Sequence, residues 1–312
     1  MGKGTAGFII ATGYDSEGQS VNPISWLGDS SIIRRQVVNM QLAGVSPIVV
    51  LSGCDNLRVE HHLDCYGVVF FQMQDFQHIQ LKQDVLPVLS YLQDKCERII
   101  YAPVEYPLLK TETIRRLTET KGDICYPEYQ GQRGYPTILD KSIITKIHVE
   151  DLEKYEILED YLDDQPLMSV AIPVDDEGVI CNIADTSICE RLIKKHNYQM
   201  QHPYIHLDID YDTKIFDERL GLLLSMIHET KSVKRACMRV SMSVGKAWSY
   251  INLLEEKLQY PVVDRRQGGK RGGGTDLTKE GLEYLEKYLE LEQNVQKYAQ
   301  KEYERIFVNS SC

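Results

Sequence analysis

Four short apolar runs, each stopped by a turn signal, constrain this chain more than any other feature. They are GFIIATG (7–13), SPIVVLSG (46–53), VVFFQM (68–73) and RIIYAPVEYP (98–107). Runs of four to eight β-branched and aromatic residues bounded by Gly or Pro read as buried strands. Between the first two lies SSIIRRQVVNMQLAGV (30–45), whose apolar residues recur at helical spacing. Strand, helix and strand at these intervals imply an α/β fold, a doubly wound and mostly parallel sheet with ligands at the C-terminal strand ends. Residues 1–196 are expected to form this domain. The turn after the first strand, Ala11, Thr12 and Gly13, is where backbone N–H groups would receive a phosphate-bearing ligand.

The rest of the chain has a different charge. From Lys231 to Gly281 there are eleven Lys/Arg against five Asp/Glu, a balance of +6, so the formal net charge of −11 leaves −17 on the remainder. A basic segment on an acidic protein is an electrostatic footprint for a polyanion, which the acidic remainder would repel from every other face. No apolar run approaches the ~18 residues that span a bilayer. The expectation is a cytoplasmic chain without a membrane partner. The eight cysteines form no C-x-x-C pair and read as reduced core thiols. His61 and His62, adjacent along one element, do not face one site and carry no metal reading.

Within the basic segment the pattern is that of a winged helix-turn-helix. FDERLGLLLSMIHET (216–230) spaces Leu220, Leu223, Leu224 and Ile227 as one helical face, and Ser232 precedes a short helix as its N-cap. Ser243 caps a further helix that sets Val244, Ala247, Trp248, Ile251, Leu254 and Leu258 on one face. Its other face presents Ser243, Lys246, Ser249, Tyr250 and Asn252, the side chains expected to contact bases of double-stranded DNA. Then VVDRRQGGKRGGGTDLT (262–278) places two β-capable runs around a loop of glycines and cations. Lys234, Arg235, Arg265, Arg266, Lys270 and Arg271 are the expected phosphate contacts. HLDIDYD (206–212) alternates as an edge strand would, opening a second domain over 203–308.

This segment resembles the winged-helix domain of ModE-type molybdate-responsive transcription regulators. The stretches that carry the resemblance are KSVKRAC, SVGKAW and GGKRGGGTDLTKEG. It implies that the long helix after the wing dimerises, and Leu282, Leu285, Tyr288, Leu289, Leu291, Val295 and Tyr298 supply an apolar stripe for a homodimer. A dimer implies a pseudo-palindromic operator.

The first domain resembles the molybdenum-cofactor nucleotidyltransferases, a MobA-like group that includes the guanylyl- and cytidylyltransferases. FIIATG stands for the group's LAAG, SWLGDSSIIRRQV for its LPLGG-x-x-LL and VEYPLL for its D-x-PL. PEYQGQRGYPTIL stands for P-x-x-x-G-x-RGHP-x-x-L, and VDDEGVICNIADT for its closing D-I-D-T or N-I-N-T. The resemblance implies metal ligands at Glu105 and Asn182, and a nucleotide, pterin or molybdenum-cofactor ligand at Ala11, Thr12, Gly13, Arg133 and Tyr135. It also implies Mg2+ with CTP or GTP as cofactors.

The chemistry departs from the group in three places: Glu105 stands for the Asp of D-x-PL, Tyr135 for the His of RGHP, and the loop after the first strand has lost its cations. Its members carry an Arg and a Lys in the loop after LAAG to hold the triphosphate. Here that loop is YDSEGQSVNP (14–23), with Glu17 near the Arg position and Asn22 near the Lys position. At an effective dielectric of ~20, a unit charge pair ~4 Å apart is worth ~4 kcal/mol, so a reversed sign opposes phosphate binding. Two readings follow. In the first, a degenerate nucleotidyltransferase-like domain serves the DNA-binding domain as ligand sensor or partner module, and no catalytic residue is assigned. The alternative is an active Mg2+-dependent molybdopterin cytidylyl- or guanylyltransferase with a fused DNA-binding domain.

Overall fold

The computed structural model describes residues 4–13, 21–53, 56–73, 79–147, 152–265 and 274–308. The chain divides into two compact units, one of residues 1–63 and 68–201, the other of 64–67 and 202–312. Asp15 and Glu17 of the acidic loop, Arg266, Lys270 and Arg271 of the glycine loop, and Cys54 and Cys312 lie outside the described residues.

In the first unit the elements run β1 (Thr5–Ala11), β2 (Trp26–Leu27), β3 (Ser30–Ser31), α1 (Ile32–Leu42), β4 (Ile48–Ser52), α2 (Asn56–His62), β5 (Val69–Gln72) and α3 (Leu86–Gln93). They continue through β6 (Arg98–Pro103), α4 (Thr111–Glu119), β7 (Ile124–Tyr129), β8 (Gln132–Arg133), β9 (Thr137–Asp140), α5 (Lys141–Lys146), α6 (Leu158–Asp163), β10 (Ser169–Pro173) and α7 (Thr186–Gln199). Among the described residues the main sheet has the order β10-β7-β9-β6-β1-β4-β5, with β8 paired to β7. The pairs β1–β4, β4–β5, β1–β6 and β10–β7 are parallel, whereas β9 runs antiparallel to both β6 and β7. The four apolar runs are therefore β1, β4, β5 and β6, side by side, with Phe8, Ile9, Val49, Val50, Leu51, Ile99 and Ile100 fully buried. A strand covered on both faces has no polar alternation, which is why these segments read as unbroken apolar runs.

One buried cation ties the ends of this unit together. Arg35, on α1, has no exposed surface. Its Nε donates to Leu27 O (2.8 Å), its Nη1 to His196 Nδ1 (2.9 Å) and its Nη2 to Leu27 O and Asn197 Oδ1. Asn197 in turn donates to Asp29 Oδ2 at 2.6 Å. A buried charge must find its hydrogen bonds inside the fold, and here α1 and α7 meet through them. Burial, and then the nearby Arg35 charge, push the His196 imidazole down to about 3.

In the second unit the order is β11 (Ile209–Asp210), β12 (Lys214–Phe216), α8 (Glu218–Thr230), α9 (Val233–Arg239), α10 (Val244–Leu258), β13 (Val263–Arg265), β14 (Thr275–Leu277) and α11 (Lys279–Tyr303). The caps fall at the expected places: Ser232 Oγ accepts from Arg235 N (3.4 Å) and Ser243 Oγ from Lys246 N (3.2 Å). Helices α9 and α10 are joined by residues 240–243, and β13 pairs antiparallel with β14. This is a winged helix-turn-helix. Leu220, Leu223, Leu224 and Ile227 of α8, Ala236 of α9, and Ala247, Ile251 and Leu254 of α10 form its core.

Three expectations change. HLDIDYD is not an extended edge strand: only Ile209 and Asp210 pair, in a short hairpin with β12. Val244 is not on the buried face but 41% exposed, because it is the first residue of α10, and the first buried one is Ala247. Trp248 and Leu258 are half-buried rather than core. The cysteines fit reduced thiols: Cys96, Cys125, Cys181, Cys189 and Cys237 are free and buried, and Cys65 is free and exposed.

Glu255 joins the wing to α10. Its Oε1 accepts from Val262 N (2.8 Å) and Val263 N (3.1 Å), and its Oε2 from Arg265 Nη2 (3.1 Å).

Two predictions follow from these networks. The His196 imidazole binds its proton less readily folded than unfolded, so its contribution to stability is present above about pH 6.5 and is lost as pH falls towards about 3. Urea titrations between pH 7 and 4 should show wild type losing stability more steeply than His196→Asn, by up to ~1.4 kcal/mol per pH unit. Glu255→Ala strands two backbone N–H groups and should cost about 2 kcal/mol, read as a lower urea midpoint by Trp248 fluorescence in a Trp26→Phe background.

Candidate functional site

The expected ligand position is set by β1. The chain leaves β1 for β4 and β5 on one side, then returns to lay β6 on the other, so the strand order reverses between β1 and β6. Ligands on such sheets sit outside the carboxyl ends of the strands at that reversal. Ala11 and Thr12 are buried at the end of β1, and Gly13 turns the chain with φ +93°, a conformation that glycine adopts without strain. Gly13 O accepts from Val21 N at 2.9 Å and Ala11 O from Gly53 N at 3.3 Å.

Beside it, Val104 N donates to Ile10 O at 2.9 Å, carrying the pairing with β1 one residue past the end of β6. The next residue is Glu105, only 5% exposed. Its backbone O accepts from Ile183 N at 2.9 Å, so the segment after β10 brings Asn182 to the same strand end. Asn182 Oδ1 accepts from Ala184 N (2.9 Å). The two residues supply one carboxylate and one amide oxygen. Among the described residues, no group of three or more His, Cys, Asp or Glu side chains is placed to hold a metal ion. That donor set fits Mg2+, which is commonly held by one or two carboxylates with water and substrate phosphate completing the shell. It does not fit a closed structural zinc site.

Arg133 and Tyr135 sit on and just after β8, but Arg133 is committed elsewhere. Its Nη1 donates to Asp163 Oδ1 (2.9 Å) and Oδ2 (2.7 Å), and its guanidinium lies 4.4 Å from the Tyr126 ring. A cation already paired with a carboxylate offers a phosphate less than its formal charge suggests. Tyr135 packs its ring 4.5 Å from Tyr106 and donates its backbone N–H to Val179 O at 2.8 Å. Its phenol neighbours Glu159, and burial followed by that carboxylate raises it. Tyr101, fully buried, is raised by the same two causes.

Glu159 belongs to this cluster and has no signal in the sequence. It lies in LEDYLDD, which reads as a solvated acidic helix face, yet it is 8% exposed. Burial pushes its carboxyl up. Tyr106 was equally silent.

In the second unit, α10 and the wing present the residues expected to meet DNA. Lys234, Arg235, Ser243, Lys246, Ser249, Asn252 and Arg265 are exposed and Tyr250 is half-buried. Several have intramolecular work. Ser249 Oγ donates to Gly245 O (3.0 Å), and Arg235 Nη2 to Thr230 O. Arg265 Nη2 donates to Asn252 Oδ1 (2.8 Å), and its guanidinium stacks 4.5 Å from the Trp248 ring. A cation over an indole face is attracted by the ring quadrupole, so Arg265 joins Glu255 in holding the wing to the helix. Lys246 Nζ lies 5.5 Å from the Tyr250 ring. On the other side of the wing, Asp276 receives Lys231 Nζ (2.7 Å) and pairs with His228 Nδ1 (3.0 Å), fixing β14 to the end of α8.

Comparison with known proteins separates the same two parts. Residues 23–165 match the family model described as "MobA-like NTP transferase domain". The "Molybdenum transport protein ModE" of Azotobacter vinelandii is 35% identical over 100 residues, covering 32% of this chain and 37% of that protein. The "DNA-binding transcriptional dual regulator ModE" of Escherichia coli K12 is 33% identical over 94 residues, covering 30% and 36%. The chain thus spans little more than a third of the length of these curated relatives. Among solved structures, the homologue of Mycobacterium tuberculosis rv0371c from Mycobacterium sp. strain JC1 shares the fold, with TM-score 0.50 and 16% identity over 64% of this chain and 99% of that one. No described helix is long and apolar enough to cross a membrane. The N-terminal α/β unit therefore resembles the MobA-like nucleotidyltransferases, and the C-terminal region resembles the winged-helix part of the ModE regulators.

Proposed function

We propose that this chain is a DNA-binding transcription regulator tied to molybdenum metabolism, in which a nucleotidyltransferase-like domain acts as ligand sensor or partner module. The observation that carries it is the winged helix-turn-helix itself, with capped α9 and α10, a paired wing and a local charge of +6, in the part of the chain that matches proteins named as ModE regulators. Double-stranded DNA is the partner, and its phosphates would be met by Lys234, Arg235, Arg266, Lys270 and Arg271. Arg265 is better read as a positioning residue than as a phosphate contact, because Asn252, Glu255 and Trp248 already hold it.

A homodimer completes the reading. Of α11 only Gly281, Leu285 and Tyr288 are buried, while Leu289, Leu291 and Tyr298 are 40%, 46% and 68% exposed. Leu291, Val295 and Tyr298 fall at i, i+4 and i+7, one stripe that a second copy of α11 would cover.

The sensing ligand would be a nucleotide, a pterin or a molybdenum-cofactor intermediate in the crevice of Ala11, Thr12, Gly13, Glu105 and Tyr135. Arg133 Nη1 is paired with Asp163, and the loop after Gly13 carries Asp15 and Glu17 with no cation. Both features favour binding over nucleotidyl transfer. The alternative, an active cytidylyl- or guanylyltransferase, is favoured by the approach of Asn182 to Glu105. In that case Glu105 and Asn182 would hold Mg2+, which supplies charge neutralisation on a departing pyrophosphate. Glu105 would orient it, and the β1 turn would carry the phosphates on backbone N–H groups.

The deciding experiment is a thermal-shift series of the full chain with CTP, GTP and Mg2+, with and without molybdopterin, following pyrophosphate in the same samples. A raised melting temperature without pyrophosphate is expected, and Glu105→Ala should remove its Mg2+-dependent part. Pyrophosphate release that requires molybdopterin would overturn the sensor reading. For the DNA-binding half, Lys270→Ala should weaken binding to all duplexes and lower the slope of log K against log salt by ~1. Leu291→Glu should convert a dimer to a monomer in sedimentation velocity; a wild-type chain that sediments as a monomer would count against the α11 interface.

A further inference from the structure

We propose that α10 reads duplex DNA through Val244, whose methyl groups meet the C5-methyl of a thymine in the major groove, with Gly245 leaving the room for that approach and Lys246 reaching the adjacent base. The inference rests on the DNA-binding reading above and names the side chains that discriminate sequence within it.

The first support is what the polar side chains of α10 already do. Ser243 Oγ accepts from Lys246 N, Ser249 Oγ donates to Gly245 O, and Asn252 Oδ1 holds Arg265. Each is oriented by an intramolecular bond and keeps only part of its hydrogen-bonding capacity for a base. The N-terminal residues of a recognition helix are the ones that reach base edges. In the first turn of α10 these are Val244, Gly245 and Lys246, all exposed.

Val244 is the second support. Single apolar residues on a surface are ordinary, but this one opens the helix that a helix-turn-helix lays into the groove. It is 41% exposed, while the apolar residues one and two turns on, Ala247 and Ile251, are fully buried. Thymine is the base that offers the major groove an apolar group, its methyl, and small aliphatic side chains are its natural contacts.

Gly245 is the third. A glycine inside a helix is destabilising relative to alanine, and the packing here gives no reason for one. A Cβ built at Gly245 meets nothing within 4 Å. Contrast Gly281 at the start of α11, where a Cβ would come within 2.2 Å of Val262 O. The space at Gly245 is on the outside of the domain, where a base edge or sugar would lie. Lys246 beside it, resting near the Tyr250 ring, carries the donor suited to guanine O6 and N7.

The test begins with the full chain selecting duplexes from a randomised pool. The preferred duplex is then remade with deoxyuridine replacing one thymidine at a time, which deletes the methyl and nothing else. Fluorescence anisotropy should find one thymidine per half-site whose replacement weakens wild-type binding about fourfold. Val244→Ala should bind the thymidine and deoxyuridine duplexes equally, near the wild-type affinity for the latter, with its salt slope unchanged. Gly245→Ala should raise the melting temperature of the chain and yet weaken binding at least tenfold. The inference is overturned if no deoxyuridine position matters to wild type, if Val244→Ala keeps the wild-type ratio between the two duplexes, or if Gly245→Ala binds as well as wild type. Failure of the broader reading looks different: no sequence would be enriched from the pool, and wild type would bind no duplex with a measurable salt dependence.

Discussion

The parallel pairing of β1 with β4 on one side and β6 on the other is the constraint on which the crevice depends. Because β1 is the first strand and lies inside the sheet, the chain leaves it in one direction and comes back on the other, so the strand order reverses at its carboxyl end. Ala11, Thr12 and Gly13 close β1, and Glu105 follows β6 two residues past its pairing with Ile10. Ile183 is then tied to Glu105 by a backbone bond, which brings Asn182 in. These three segments, around residues 12, 105 and 182, are far apart in sequence. Their meeting is a property of strand order, and strand order follows from the need to bury apolar runs on both faces.

The charges near these strand ends are largely paired. Arg133 Nη1 contacts both oxygens of Asp163, and its guanidinium lies over the Tyr126 ring. Around Tyr135 the neighbours are Tyr106, Tyr101 and the buried Glu159. Aromatic rings, one buried carboxylate and the Arg133 guanidinium thus surround the Tyr135 phenol. The winged helix has the opposite character, with exposed cations at Lys234, Arg235 and Lys246 and its internal charges organised as a frame.

Much of this was legible before any coordinates. Strands β1, β4, β5 and β6, helix α1, both serine caps and the wing strands fall where the apolar periods and turn residues put them, because each is decided by neighbours within a few positions. What escaped is long-range. Asp163 lies thirty residues from Arg133 and Arg265 thirteen from Asn252, so neither partnership leaves a mark in local pattern. Glu159 looks like a solvent-facing acid because its own segment is acidic; its burial is imposed by the sheet beneath it. Val244 has the same lesson in reverse. Helical periodicity assigns it to the apolar face, but a helix needs its first turn to meet the core before that face is covered, and α10 meets the core only from Ala247.

The buried Arg35 has a consequence for where the N-terminal domain ends. Its acceptors come from Leu27 before α1 and from His196 and Asn197 in the last turns of α7, some thirty residues beyond the segment that matches the nucleotidyltransferase family. A fragment cut at residue 165 would leave a guanidinium in the interior with half its hydrogen bonds missing, and water would have to enter to supply them. The smallest autonomous folding unit is therefore longer than the homologous one. Helix α7, outside the matched segment, supplies those bonds and packs its Cys189 against Cys181, next to Asn182.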